Sequence, residues 1–399
     1  MRNSSQLSPA PAQSRRIDSV DLLRGVIMIL MALDHTRDYI GNPNASPTNL
    51  ATTTAALFFT RWVTHVCAPT FSLLTGVGAF LMLRRKTTRE VSWFLFTRGV
   101  WLIVLEATVM RFLWQFNVDY HVTFLTVLWG LGWSMIVLSA LVHLPIPGVA
   151  TIAIAVISLQ NLTDHVAEPS SGVLRVLGTI LFRQGALVAR PGTFVFTAYP
   201  IVAWSAIMAL GFALGPVFTW DAPRRRRFLT QAGLAAVALF IVLRAINGYG
   251  DPRPWSVQGT SMFTVLSYLN VTKQPPSLFF VLMTIGPGLL FLAAFDSYTP
   301  RLLRPVVTIG RVPMFYFVAH VLVIHLIATV EAAIRYHSVA MVTQSPTPDQ
   351  FPFAQPPGWP ASLPWVYAAW ILAVLLLYPC CKWYARYKAT HTAVWLSYL

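Results

Sequence analysis

Charge is what this 399-residue chain has least of: 11% of its residues are Asp, Glu, Lys or Arg, and 14 are acidic. Soluble globular domains carry about 25% charged residues, so a water-soluble fold is excluded. With 56% apolar and 13% aromatic side chains, so is a disordered chain. Cysteine is as scarce. Cys67, Cys380 and Cys381 are an odd count with two of them adjacent, which implies no disulfide framework. Walker A, Gly-x-Ser-x-Gly and Gly-x-Gly-x-x-Gly are missing, which argues against an ATPase, a serine-hydrolase elbow and a dinucleotide enzyme. His-x-x-His, His-x3-His and Cys-x-x-Cys spacings are missing too, so no zinc or other metal site is expected. No short-period repeat appears, so a solenoid is not expected.

Long hydrophobic runs are what the chain has instead. A bilayer core needs about 20 apolar residues in a helix, and windows of that size fall near 19–40, 56–83, 92–112, 121–142, 146–160, 197–218, 228–246, 275–295, 311–334 and 363–383. The fold class read from them is all-α: a polytopic integral membrane bundle of about ten transmembrane helices. With the amino terminus inside, the larger share of the cations collects on inner segments. These include Arg84–Lys86, Arg224–Arg227 and Lys382, Arg386 and Lys388. That is the positive-inside pattern, and it puts both termini in the cytoplasm. The net charge of +15 is therefore a matter of topology, and nucleic acid is not an expected partner. Residues 1–16 read as a disordered cytoplasmic tail, 17–390 as a single transmembrane domain and 391–399 as a second cytoplasmic tail. Three long, aromatic-rich outer segments, 161–196, 247–274 and 335–362, are expected to fold over the outer mouth of the bundle. Three Asn-x-Ser/Thr triplets, at Asn44, Asn161 and Asn270, lie near that side and carry no functional information.

Ionisable groups inside spans are costly and point to function. The first span has the most: Asp21 and Arg24 near its start, then an apolar run, then Asp34-His35-Thr36-Arg37-Asp38. Arg24 and His35 are eleven residues apart. At about 100° and 1.5 Å per residue they share one helix face, roughly 16 Å from each other. Acidic residues at a helix C-terminus oppose the macrodipole, so Asp34 and Asp38 are poorly explained as end-caps. His65, in the second span, is expected at a depth similar to His35. The two imidazoles with Asp34 form a candidate acid–base cluster. Pro69 loosens the second helix beside His65, and Gly76-x-Gly78-Ala79 permits close helix packing. In the third span, Arg98 and Glu106 are too far apart on the helix to pair, so each needs a partner elsewhere, and Glu106 reads as structural. In the ninth span His320 shares a face with Pro313 and Tyr316, whereas His325 points away and reads as packing.

The first two spans resemble a known family. Arg24-Gly25, an apolar run, Asp-His-x-Arg-Asp-Tyr at 34–39 and Thr-His-x-x-Ala-Pro at 64–69 are similar to the heparan-α-glucosaminide N-acetyltransferase-like membrane proteins, most of all to bacterial members. Further matches are Trp129-Gly-Leu-Gly-Trp-Ser-Met, Tyr199-Pro-Ile-Val-Ala-Trp204 and Gly310-Arg-Val-Pro-Met-Phe-Tyr-x3-His320, so the likeness runs from about 20 to 390. The resemblance implies an acyltransferase of a bacterial cytoplasmic (inner) membrane. It would take an acetyl or other acyl group from cytoplasmic acetyl-CoA, as co-substrate, to an amine or hydroxyl of a glycan or small acceptor on the far side.

The resemblance and the spacing together assign His35, Asp34 and His65 to catalysis. Arg24, Arg37, Asp38, Tyr199, Trp204 and His320 are assigned to substrate binding. Arg24 would take CoA phosphates while the thioester reaches His35, with Asp34 holding the imidazole. Whether His35 acts as a base or as an acyl carrier is left open, as is oligomerisation. The alternative from another class is a proton-coupled transporter or flippase using the same His, Asp and Glu residues.

Overall fold

The structure is a computed structural model. It describes residues 17–391 apart from 43–44, 170, 348–351, 354, 357 and 360–361, together with 393 and 396. The 1–16 tail, the Asn44 triplet, part of the proline-rich outer segment and most of the carboxyl-terminal tail lie outside the described residues.

The described chain is mostly helical. In order come α1 (Asp18–Ile40), α2 (Ala55–Thr64), α3 (Cys67–Met82), α4 (Thr88–Leu105), a π-helical turn (Glu106–Met110) and α5 (Arg111–Gln115). Then follow β1 (Val122–Leu125), α6 (Val127–Leu141), α7 (Ile146–Leu159), α8 (Gly172–Phe182), β2 (Gly185–Arg190), β3 (Thr193–Thr197) and α9 (Ile201–Leu214). The rest is α10 (Ala222–Ile246), α11 (Ser261–Leu269), α12 (Leu278–Phe295), α13 (Arg304–Gly310), α14 (Pro313–Tyr336), α15 (Ala340–Thr343) and α16 (Leu363–Thr390). Among the described residues, eight helical stretches are long and apolar enough to cross a membrane, beginning at Ala55, Thr88, Ile146, Ile201, Ala222, Leu278, Pro313 and Leu363. α1 carries too many charges to join them by composition, and α6 is short.

Local sequence explains where these helices start and break. Thr87 caps α4 in a reciprocal box with Glu90, which satisfies two otherwise unpaired amides. Ser277 accepts from the Phe280 amide to open α12, and α14 begins on Pro313. The window at 56–83 is two helices because Pro69 has no amide to give the His65 carbonyl, and the chain bends there at His65–Val66.

The all-α expectation needs one correction. β1, β3 and β2 form a three-stranded sheet in that order, β1 parallel to β3 and β2 antiparallel to it. The start of the expected 121–142 span is β1, so its helix is confined to Val127–Leu141. The β2–β3 hairpin and α8 make up much of the long segment 161–196.

α1 is the hub of the bundle, packed against α2, α3, α12, α13, α14 and α16. Gly25 lets α13 approach closely, because a Cβ there would run into the Val306 carbonyl of α13. Gly76 plays the same part between α3 and α9, facing the Met208 carbonyl. Helices packed without a hydrophobic driving force rely on such backbone contact. Outward faces such as Ile371, Leu372, Leu375 and Leu376 of α16 are left exposed, as a surface solvated by lipid requires.

Candidate functional site

The carboxyl-terminal half of α1 opens on a cavity of about 260 Å³. α1 lines it with Met31, Asp34, His35, Arg37 and Asp38, while α2 and α3 add Arg61, Thr64, Cys67 and Ala68. Trp114 of α5, Thr126 and Val127 at the head of α6, Ala198 and Tyr199 before α9, and Lys273 and Gln274 between α11 and α12 close the wall.

His35 is positioned by a chain of two hydrogen bonds. His320 Nδ1 lies 3.0 Å from the Tyr316 carbonyl, which only accepts, so that nitrogen carries the proton. With a neutral ring, His320 Nε2 is then an acceptor, and it sits 2.6 Å from His35 Nδ1. His35 therefore donates from Nδ1 and keeps the lone pair on Nε2. The network sets both tautomers. His320 is fully buried behind His35, with the ring centroids 4.8 Å apart. Trp114 meets the His35 ring edge-on at 4.9 Å. Tyr39 OH holds the Trp114 carbonyl at 2.8 Å, which fixes that edge.

Asp34 does something other than hold the imidazole. Its Oδ1 pairs with Arg37 Nη1 at 2.8 Å, and its Oδ2 accepts from Arg61 Nη1. Arg37 also donates to Asp38 at 2.6 Å. Four charges thus form one paired row across the cavity wall. Lys273, in the loop outside the spans, is pushed down to about 8 by burial and then by the Arg61 charge.

The remaining expected residues divide. Tyr199 lines the cavity, and its ring packs at 4.8 Å on Trp204, whose Nε1 donates to Gln274 Oε1 at 3.1 Å. Trp204 thus supports the wall from behind. His65 is buried at the α2–α3 bend against Phe280, ring centroids 5.5 Å apart, and is outside the cavity lining although Thr64 and Cys67 are in it. The three-membered His35–His65–Asp34 cluster does not form; His320 takes the place expected for Asp34. Arg24 also lies away from the cavity, donating to the Leu74 carbonyl at 3.2 Å and pairing with Asp21 at 3.6 Å. Met28 and Met31 occupy the same flank between Arg24 and His35, 1% and 9% exposed, so that flank is closed in this state.

Glu106 finds its partner in Thr126, accepting from its amide and hydroxyl at 2.6 Å each. It does so from the π-helical turn, a widened register that swings the carboxylate onto the head of α6. His325 joins the Leu113 and Val342 carbonyls at 2.8 Å each, a packing tie. Asn161 and Asn270 are both engaged, with the Leu278 amide and the Thr48 carbonyl, so their side chains are structural. Among the described residues no group of three or more His, Cys, Asp or Glu is placed to hold a metal.

Sequence reasoning missed Arg61, Lys273, Gln274, Thr126 and Trp114. Arg61 has a legible signal, a guanidinium one helical turn before His65 on an apolar helix. Lys273 and Gln274 had none, because their loop reaches the cavity only through tertiary folding.

Residues 16–245 match the family model described as heparan-α-glucosaminide N-acetyltransferase, catalytic. The match includes Arg24, Asp34, His35, Arg37, Asp38, Arg61, His65, Tyr199 and Trp204, and ends before Lys273 and His320. No curated protein matches the chain.

Proposed function

The chain belongs to the heparan-α-glucosaminide N-acetyltransferase catalytic family, a family of transferases, and from that premise we propose that it moves an acetyl group from acetyl-CoA to an amine or hydroxyl acceptor at the His35 cavity. The observation that carries this reading is the His35–His320–Tyr316 hydrogen-bond chain, which leaves the Nε2 lone pair on an imidazole that lines a small cavity.

The cavity volume of about 260 Å³ suits the acyl-thioester end of a donor beside a small acceptor group, not a whole coenzyme A. In the proposed step the acceptor N–H or O–H faces His35 Nε2. Its lone pair attacks the thioester carbonyl carbon as His35 takes the proton. The tetrahedral oxyanion then collapses, the C–S bond breaks, and the thiolate leaves with the proton that His35 returns. The imidazolium formed on the way still donates from Nδ1 to His320 Nε2, so it is stabilised without any rearrangement. This is the orienting role that a buried carboxylate plays in serine-protease triads. On the family likeness, the donor acetyl-CoA is proposed to be cytoplasmic and the acceptor, a glycan or small molecule, to lie on the far side of a bacterial inner membrane.

Two variants test the orientation and the donor route. His320→Gln keeps an acceptor oxygen for His35 Nδ1 and is expected to retain most of the turnover. His320→Leu removes it and is expected to cut kcat about a hundredfold with KM for the acceptor little changed. Equal rates for the two variants sink the orienting role. On the donor side, Arg24→Ala is expected to weaken acetyl-CoA binding more than it lowers kcat. Met31→Trp, which adds bulk to the closed flank, is expected to abolish transfer, with thermal unfolding to verify that the protein still folds. An unchanged rate in Met31→Trp means that the donor enters by another path.

The relay required of a proton-coupled transporter is less well served. Both oxygens of Asp34 are held by guanidinium groups, which disfavours repeated protonation.

A further inference from the structure

The loop between α11 and α12 is built to hold Lys273 in place. Asp251 accepts from the Thr272 amide at 2.7 Å, the Thr272 hydroxyl at 3.0 Å and the Ser277 hydroxyl at 2.6 Å. Asn270 donates to the Thr48 carbonyl at 2.9 Å. Lys273 and Gln274 lie between these anchors and line the His35 cavity.

The charges facing Lys273 are already spoken for. On α1, Asp34 and Asp38 are paired with Arg37, and Arg61 of α2 takes the second oxygen of Asp34. Among the described residues Lys273 itself makes no ion pair or hydrogen bond. Counting His35 and the Cys67 thiol as neutral, three cations stand against two carboxylates around the cavity. Gln274 accepts from Trp204 through Oε1, which orients its amide N–H₂ as a donor and not an acceptor. An ammonium sheltered from water without a counter-charge is costly, and the hydrogen bonds of its loop fix it there.

We propose that Lys273 and Gln274 form a subsite for an oxyanion carried by the acyl acceptor, a carboxylate or a phosphate, so that the acceptor is an acidic sugar or similar small acid and not a neutral one. This rests on the acyltransferase reading of the same cavity, but it is tested by binding without chemistry. An occupied oxyanion subsite would also supply the missing counter-charge and draw the acceptor's nucleophile toward His35.

The experiment is equilibrium binding of glucuronic acid, mannose 6-phosphate, glucose and mannose to the purified full-length protein without acyl donor. The acids are expected to bind about ten- to hundredfold tighter than their neutral counterparts. Lys273→Met is expected to erase that difference while leaving the neutral sugars unaffected, and Lys273→Arg to keep it. The arm that binds more tightly, carboxylate or phosphate, identifies the oxyanion. The preference should hold below about pH 8 and fade above it, since Lys273 sits near 8 in the free cavity and only its protonated form attracts an anion. Lys273→Met removes a sheltered charge, so a folding defect is not expected, and thermal unfolding verifies this. The proposal is overturned if neither acid binds, if acids and neutral sugars bind wild type alike, or if Lys273→Met weakens all four ligands together. Acetyl-CoA turnover that survives such a result leaves the acyltransferase reading standing; its absence with a normal acid preference leaves the subsite standing.

Discussion

His35→Asn is expected to lower acetyl transfer by about 10²–10⁴-fold, the usual range for loss of a general base, without loss of fold. The asparagine side chain can still donate one N–H to His320 Nε2, which His35 Nδ1 now approaches at 2.6 Å, so the buried partner is not left unsatisfied. What disappears is the lone pair on the cavity wall. The assay is label transfer from acetyl-CoA with wild type alongside, together with thermal unfolding of both proteins and a dissociation constant for CoA. Unfolding temperature and CoA affinity are expected to be unchanged. Retention of more than about a tenth of the wild-type rate would falsify His35 as the base. If label instead accumulates on wild-type protein and is missing from His35→Asn, His35 is an acyl carrier.

Asp34→Ala is expected to destabilise the protein by about 3–5 kcal/mol, the cost of removing one partner from a buried ion pair. Arg37 and Arg61 both point at that carboxylate, with 11% and 19% of their side chains exposed. Without it two guanidiniums face each other across a cavity. Asp34→Ala with Arg61→Met leaves Arg37 paired to Asp38, so the double variant is expected to recover part of the loss. A coupling of about 0.5–3 kcal/mol is typical for residues in one network. Thermal or denaturant unfolding of the two single variants and the double variant checks this. A normally stable Asp34→Ala protein that has lost turnover would place Asp34 in the chemistry and not in the scaffold.

These two expectations separate neighbours in the chain. Asp34 and His35 are adjacent, and a linear reading joins them in one catalytic pair. On a helix, adjacent residues point about 100° apart, and here they face different elements: Asp34 toward Arg61 of α2, His35 toward His320 of α14. The same arithmetic puts Arg24 and His35 on one flank, because it uses spacing within one helix. It said nothing of what fills that flank, and Met28 and Met31 fill it. His65 failed for a different reason. A short return from the first span sets its expected depth but not its direction, and at the break before Pro69 its ring lies against Phe280.

Composition and hydropathy period determined by themselves that this is a helical membrane protein. Burial of backbone polar groups in lipid leaves few other solutions for runs of this length. The residues of α1 and α2 also marked the family and the half of the first helix where polar chemistry gathers, because a charge inside a span is too costly to be there without cause. Tertiary structure alone decided which group each of those residues meets. His320 lies 285 positions from His35, and Lys273 reaches the cavity on a loop whose anchor, Asp251, is itself in another segment. A hydrogen bond between distant elements leaves no periodicity in either one, so no reading of spacing along the chain can register it.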